Sequence, residues 1–267
     1  MSAWLCLWQS HDPYAGNLTM SLSTTDRLCM RTRPPGWPIM HQTWDKLLFL
    51  HWPIAAERLR PLIPERLHID TFAGSAWLGL TPFTMRGIRP VSFPAIPGLS
   101  TSHELNVRTY VHLDRMPGVW FLSLEASNAL AVMGARLAFH LPYFRARMRL
   151  EEQGQTVRIT SHRTHRSAPP ADFEAIWTGG DTLPPAPPGS LDFFLIERYC
   201  LYATSGSRLY RARIFHAPWP LRRATLLSYA STMLASHGLP TPPGEPLLHA
   251  QAAPLHVEIW PLQAIEP

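Results

Sequence analysis

Polar and apolar residues alternate strictly from Glu104 to Leu113. Glu104, Asn106, Arg108, Tyr110 and His112 fall on one side, and Leu105, Val107, Thr109, Val111 and Leu113 on the other. A repeat of two is the period of a β-strand. After the turn Met116-Pro117-Gly118, the run Val119 to Glu125 carries Trp120, Phe121, Leu122 and Leu124 and has almost no polar face. The pair reads as a hairpin set deep in the fold. A carboxylate and a guanidinium there must be paired or face a pocket.

The same reading extends along the chain. Lys46 to Trp52 is a buried strand ended by Pro53, followed by a short helix from Ala55 to Leu62. Leu67–Asp70 and Ala76–Leu80 flank Ala73-Gly74 as a hairpin. Residues 86–102, rich in Pro and Gly, read as a long loop. Asn128 caps a helix from Ala129 to about Leu141, apolar nearly all round and stopped by Pro142. Arg145–Leu150 and Thr156–Ser161 form a second strand pair. Residues 167–189 read as a surface connection, and Ser190 caps a helix from Leu191 to about Leu201. Leu209–Phe215 and Leu255–Trp260 are strands, and 222–239 reads as a strand and then a short helix.

Residues 1–38 show no period and end in Arg33-Pro34-Pro35-Gly36-Trp37-Pro38. They are expected to form a loose, dispensable arm before a single domain over 39–267. Met20, Met30 and Met40 are alternative start points. The fold class is α+β, a mostly antiparallel sheet with a few helices. No βαβ rhythm and no glycine-rich phosphate loop is present, so no nucleotide cofactor is implied.

Composition narrows the function. Hydrophobic residues at 46% allow a sizeable core, and charged residues at 16% are too few for a disordered chain. The net charge is +5, yet no run of like charges suggests nucleic acid. Lys46 is the one lysine among 24 basic residues. Cys6, Cys29 and Cys200 are widely spaced, which fits a reducing, cytoplasmic setting and no thiolate metal site. No apolar stretch reaches the ~18 residues of a membrane helix.

Two groups carry candidate chemistry. The face holding Glu104, Asn106 and Arg108 is either a solvated sheet surface or a cavity wall. In the second case Glu104 is a charge or base, and Asn106 and Arg108 orient a substrate. Arg136 and His140, four apart, share one helix face that borders either solvent or the same cavity. His162 and His165 form H-x-x-H, but residues three apart on a strand point to opposite faces, so no metal is expected there. His51 and His68 read as core histidines. Glu197 and Arg198 read as ion-pairing or capping groups. No G-x-S-x-G elbow supports nucleophilic acyl transfer.

Several stretches, in order, resemble the DUF2071 (YqjF-like) family: Trp44–Pro53, Glu104–Val111, Pro117–Leu124, Leu141–Phe144, Glu197–Tyr202 and His216–Leu221. That resemblance implies an acetoacetate decarboxylase-like fold, a β-barrel-like core with an internal cavity. Decarboxylases of that group form a Schiff base through a lysine in a Gly-Arg-Glu…Pro-Lys-Lys pattern. The matching stretch here is Gly134-Ala135-Arg136…Pro142-Tyr143-Phe144, so Tyr143 stands at the lysine's place. A phenol forms no imine. The resemblance places the active-site carboxylate near Glu104. The expectation is a pocket of Glu104, Tyr143, Asn106, Arg108, Arg136 and His140 that takes a small anionic organic acid without a Schiff base. A sensor or structural domain with a filled barrel is the alternative.

Overall fold

A computed structural model describes residues 22–128, 136 and 138–266. Its strands are β1 (Met40–Asp45), β2 (Leu48–Ile54), β3 (His68–Ile69), β4 (Ala76–Pro90), β5 (Thr101–Leu113), β6 (Met116–Ala126), β7 (Tyr143–Gln153) and β8 (Thr156–Arg163). They continue with β9 (Asp172–Thr182), β10 (Cys200–Ser205), β11 (Arg208–Phe215), β12 (Leu221–Ser231), β13 (Leu247–Gln251), β14 (Leu255–Ile259) and β15 (Gln263–Ile265). Helices α1 (Thr24–Cys29), α2 (Ala56–Leu59) and α3 (Leu191–Ile196) are short.

All the strands belong to one sheet, antiparallel except where β6 meets β10 and β7. The pairings β1–β4 and β5–β6 close the strand path on itself. Two rings result, sharing the wall β4-β5-β6. One runs through β1, β14, β11 and β10, and the other through β2, β13, β12, β9, β8 and β7.

Register decides which side chains enter which ring. Glu104, Asn106 and Arg108 stand opposite Phe83, Thr81 and Gly79. This face packs with Phe49, Tyr110 and Leu255 in the β1–β14 ring, and α3 roofs it with Phe193, Phe194, Leu195 and Ile196. The alternate residues Leu80 and Val107 enter the other ring, whose core holds Ile159, Phe173, Ala175 and Trp177. The β5–β6 ladder slips beside Arg108: Val107 faces Ser123 but Arg108 faces Phe121, leaving Leu122 as the extra residue of a bulge.

Gly79 permits a close approach. A Cβ there would sit 3.2 Å from Arg108 Cγ and 3.2 Å from the His51 ring. Both neighbours lean over that bare backbone.

Several expectations need correction. Of the arm assigned to 1–38, residues 22–38 are described and they are not loose. Ser23 and Asp26 form a capping box that starts α1. Arg27 binds Asp70 at 2.7 Å, Arg31 binds Glu197 at 3.1 Å and Arg33 binds Glu258 at 2.7 Å. Met30 is buried. Arginines punctuating a Pro-rich segment give no apolar period, so periodicity alone missed this strap.

The region 86–102 is mostly strand at its ends, since β4 runs to Pro90 and β5 begins at Thr101. The stretch 167–189 contains β9, which pairs with both β8 and β12. The helix expected to reach Leu201 ends at Ile196, and β10 follows. His68 and Ile69 pair with β5 rather than with β4. The helix expected over 129–141 lies largely outside the described residues.

Candidate functional site

Glu104, Asn106 and Arg108 are buried, 3%, 4% and 9% exposed, so their face is not a solvated surface. Glu104 Oε2 accepts a 2.7 Å hydrogen bond from the Tyr143 hydroxyl. The geometry follows from register: Tyr143 pairs with Leu124, Leu124 with Asn106, and all point into the β1–β14 ring. Burial pushes the Glu104 carboxyl up to about 7, against hydrogen bonds from Tyr143 and Asn106 that favour the carboxylate. A carboxyl raised into that range is able to take up or release a proton near neutral pH. Burial and the adjoining carboxylate push the Tyr143 phenol well up, so it remains a donor.

Arg108 has less company. Its Nη2 reaches the Leu195 carbonyl at 3.5 Å, and its guanidinium lies 5.3 Å from the Phe49 ring centre and 5.7 Å from that of Tyr110. Among the described residues no carboxylate pairs with it, and its Nε has no partner. A second buried arginine in the same region, Arg198, is matched by Asp70 at 2.7 Å.

Unpartnered polar atoms gather on this side of the wall. Thr81 Oγ1, Asn106 Oδ1, His51 Nδ1, His216 Nε2 and the indole nitrogens of Trp44 and Trp219 are buried and meet no acceptor or donor among the described residues. Natives leave few such atoms. His51 is only half satisfied: its Nε2 bonds the Tyr110 hydroxyl at 2.7 Å. Burial, with Arg108 beside it, holds the ring well below its usual range and hence neutral.

The other expected residues are elsewhere. Arg136 is exposed, with Nη1 3.2 Å from His165 Nε2. His140 takes a left-handed backbone, φ +52°, and its ring centre lies 5.0 Å from that of Tyr210. The two line a cleft of about 470 Å3 with Phe121, Leu141 and His237. Phe121 and Leu141 also pack with Leu124 and Tyr143. A second cleft of about 780 Å3 opens between β7, β8, β9 and β12. Neither cleft is lined by Glu104, Asn106 or Arg108.

The remaining singled-out residues have structural partners. His162 binds Asp172 at 2.5 Å, while His165 faces Arg136, so H-x-x-H does not converge. Glu197 meets Arg31, the Tyr199 hydroxyl and the Trp219 amide. Lys46 pairs with Glu152 at 2.6 Å, its side chain 35% exposed. Sequence reasoning missed Trp44 and Trp219 as walls of the site. Both sit in motifs already singled out, but nothing in an isolated tryptophan marks a free N–H.

Comparison with known proteins bears on this arrangement. The DUF2071 family model, described as an uncharacterized conserved protein, matches residues 41–254. Protein YqjF of Bacillus subtilis (strain 168) is 41% identical over 230 residues, 86% of this chain and 94% of that protein. Among solved structures, the enduracididine biosynthesis enzyme MppR complexed with pyruvate aligns with a TM-score of 0.60 at 11% identity, over 86% of this chain and 91% of that one. An acetoacetate decarboxylase-like enzyme from Sphingomonas wittichii RW1 aligns with a TM-score of 0.58 at 11% identity, over 86% and 94%. At these identities the two structures share the fold.

Proposed function

The chain belongs to the DUF2071 family, and from that premise we propose that it binds a small carboxylic acid inside the β1–β14 ring and moves a proton on it without covalent capture. Arg108 holds the carboxylate. Glu104, bonded to Tyr143 and Asn106, is the acid–base group. The single observation that carries this reading is Arg108, a buried guanidinium with no ion pair among the described residues. An unpaired buried charge costs several kcal/mol unless a counter-charge arrives, roughly as in breaking a buried pair. A ligand carboxylate supplies it, and a guanidinium fork suits that shape.

Two further points support the reading. MppR, of the same fold, is described with pyruvate bound, itself a small carboxylate. The cleft at Arg136 and His140 shares Phe121 and Leu141 with the cluster that packs around Leu124 and Tyr143, and an acid would enter the ring from there when those two side chains part. Schiff-base chemistry is not part of the proposal. Tyr143 offers no amine, and Lys46 is spent on Glu152.

The second reading, a non-catalytic domain with a filled ring, is favoured by one fact: neither cleft reaches Glu104 or Arg108. Thermal denaturation separates the two. The melting temperature of the wild type should rise with millimolar acetate, pyruvate, acetoacetate or benzoate, but not with the matching amides, since a ligand that binds only the folded state stabilises it. Arg108→Met should abolish the shift. A folded wild type that no carboxylate stabilises would leave the filled ring standing.

A further inference from the structure

The unpartnered donors of the ring say more about the acid than its charge. A row of aromatic rings leads from Arg108 back to Glu104. The guanidinium lies 5.3 Å from Phe49, and Phe49 meets Trp219 edge-on at 5.0 Å. Trp219 stacks on Trp44 at 5.6 Å with 16° between planes. Trp44 lies 5.6 Å from Phe83, the cross-strand neighbour of Glu104. The row therefore runs beside the β5 face from one charged end to the other.

Both indole N–H groups in this row are buried without an acceptor among the described residues. An indole nitrogen only donates, and a buried one normally finds a partner. Arg108 Nε is a third unmet donor. The site thus asks for acceptor atoms beyond the single carboxylate. Length matters as well. Four residue steps separate Glu104 from Arg108 along the strand, about 13 Å between Cα atoms at ~3.3 Å per residue. A three-carbon acid reaches only one end. The far acceptor must be neutral, because the Glu104 carboxyl occupies that end with no cation paired to it among the described residues. A flat body matches an aromatic wall.

We propose that the preferred acid is an aryl carboxylate bearing a neutral acceptor oxygen across the ring from its carboxylate. The carboxylate sits on Arg108, the ring lies against Phe49 and Trp219, and the far oxygen accepts from the indole N–H groups of Trp44 and Trp219. This rests on the carboxylate reading above and names its ligand class.

Calorimetric titration of the full chain with 4-acetylbenzoate, benzoate and acetoacetate tests it. Trp44→Phe and Trp219→Phe delete the N–H and keep an aromatic ring. We expect 4-acetylbenzoate to bind about tenfold tighter than benzoate, the worth of one added hydrogen bond. Trp44→Phe should lose part or all of that preference while benzoate affinity holds, which also shows the variant is folded. Trp219→Phe, whose ring also meets the aryl body, should lose the preference as well, with its fold checked by its melting temperature. Arg108→Met should weaken both acids. Equal binding of the two aryl acids, or a preference that survives both Phe variants together, overturns the proposal. If only acetoacetate binds, and through Arg108, the aryl inference fails and the carboxylate reading stands. If no acid binds the folded wild type, both fail.

Discussion

Two sets of one buried glutamate and one buried arginine, Glu125 with Arg163 and Glu104 with Arg108, lie on opposite faces of the β4-β5-β6 wall and are treated oppositely. On the β7–β9 side, Glu125 and Arg163 are 0% and 1% exposed in their side chains and form a closed set. Arg163 Nε and Nη2 meet the two Glu125 oxygens at 3.0 and 2.6 Å, and Nη1 reaches the Pro169 carbonyl at 3.0 Å. On the β1–β14 side, Arg108 and Glu104 are each buried without an opposite charge among the described residues. Burial of a charge is therefore no sign of function by itself. What separates a brace from a site is whether the chain completes the bonding of each group. Glu125 and Arg163 are complete and hold strands together. Arg108 keeps an unmet Nε and no ion pair among the described residues, and Glu104 is held by the Tyr143 hydroxyl rather than by a cation.

The largest expected effect follows on the closed side. Glu125→Ala strands Arg163, and removing one partner of a buried pair typically costs ~3–5 kcal/mol. Chemical denaturation should show that loss. It should also show Glu125→Leu with Arg163→Met recovering most of it. A single variant as stable as the wild type would mean that the pair does not brace the fold.

An intermediate effect comes from Glu104 and depends on pH. Its folded carboxyl titrates at about 7, raised from 4.5 by burial. Between those values the folded protein holds a proton that the unfolded chain has released. Stability is thus present below pH 4.5 and lost as pH rises through 7. The shift corresponds to at most ~3 kcal/mol. Glu104→Gln should flatten this slope and melt higher than the wild type above neutrality. Equal slopes would show that Glu104 is already ionised and paired.

The smallest effect on stability belongs to Arg108→Met. It removes the desolvation cost of an unpaired charge but also the guanidinium's contacts with the Leu195 carbonyl and the rings of Phe49 and Tyr110. The two largely offset, so the change should lie within ~1 kcal/mol and tend toward stabilisation. The contrast with Glu125→Ala is the test. If both variants lose several kcal/mol, then Arg108 is a brace too.

The open face was legible in the sequence because it needs only a period of two. Glu104, Asn106 and Arg108 alternate, and the apolar β6 beside them forces them inward. The Tyr143 contact was implied by family resemblance, and the structure joins it to Glu104 across 39 residues. The closed pair escaped notice. Glu125 sits at the end of an apolar strand and Arg163 among histidines, and only register brings them together. The grouping of Arg136 and His140 with Glu104 assumed one cavity, whereas the structure puts Arg136 and His140 on a cleft that Glu104, Asn106 and Arg108 do not line. The strap at 22–38 was illegible for a related reason. Its ties are single arginines reaching Asp70, Glu197 and Glu258, distant in sequence and invisible to periodicity.

A crystal structure of the chain grown with a saturating small carboxylate tests the central claim most directly. The account predicts the carboxylate inside the β1–β14 ring, both oxygens on the Arg108 guanidinium, with Glu104 still bonded to Tyr143. A ring interior filled by protein side chains, Arg108 touching only Leu195 and the rings of Phe49 and Tyr110, and the acid found elsewhere or not at all would contradict it.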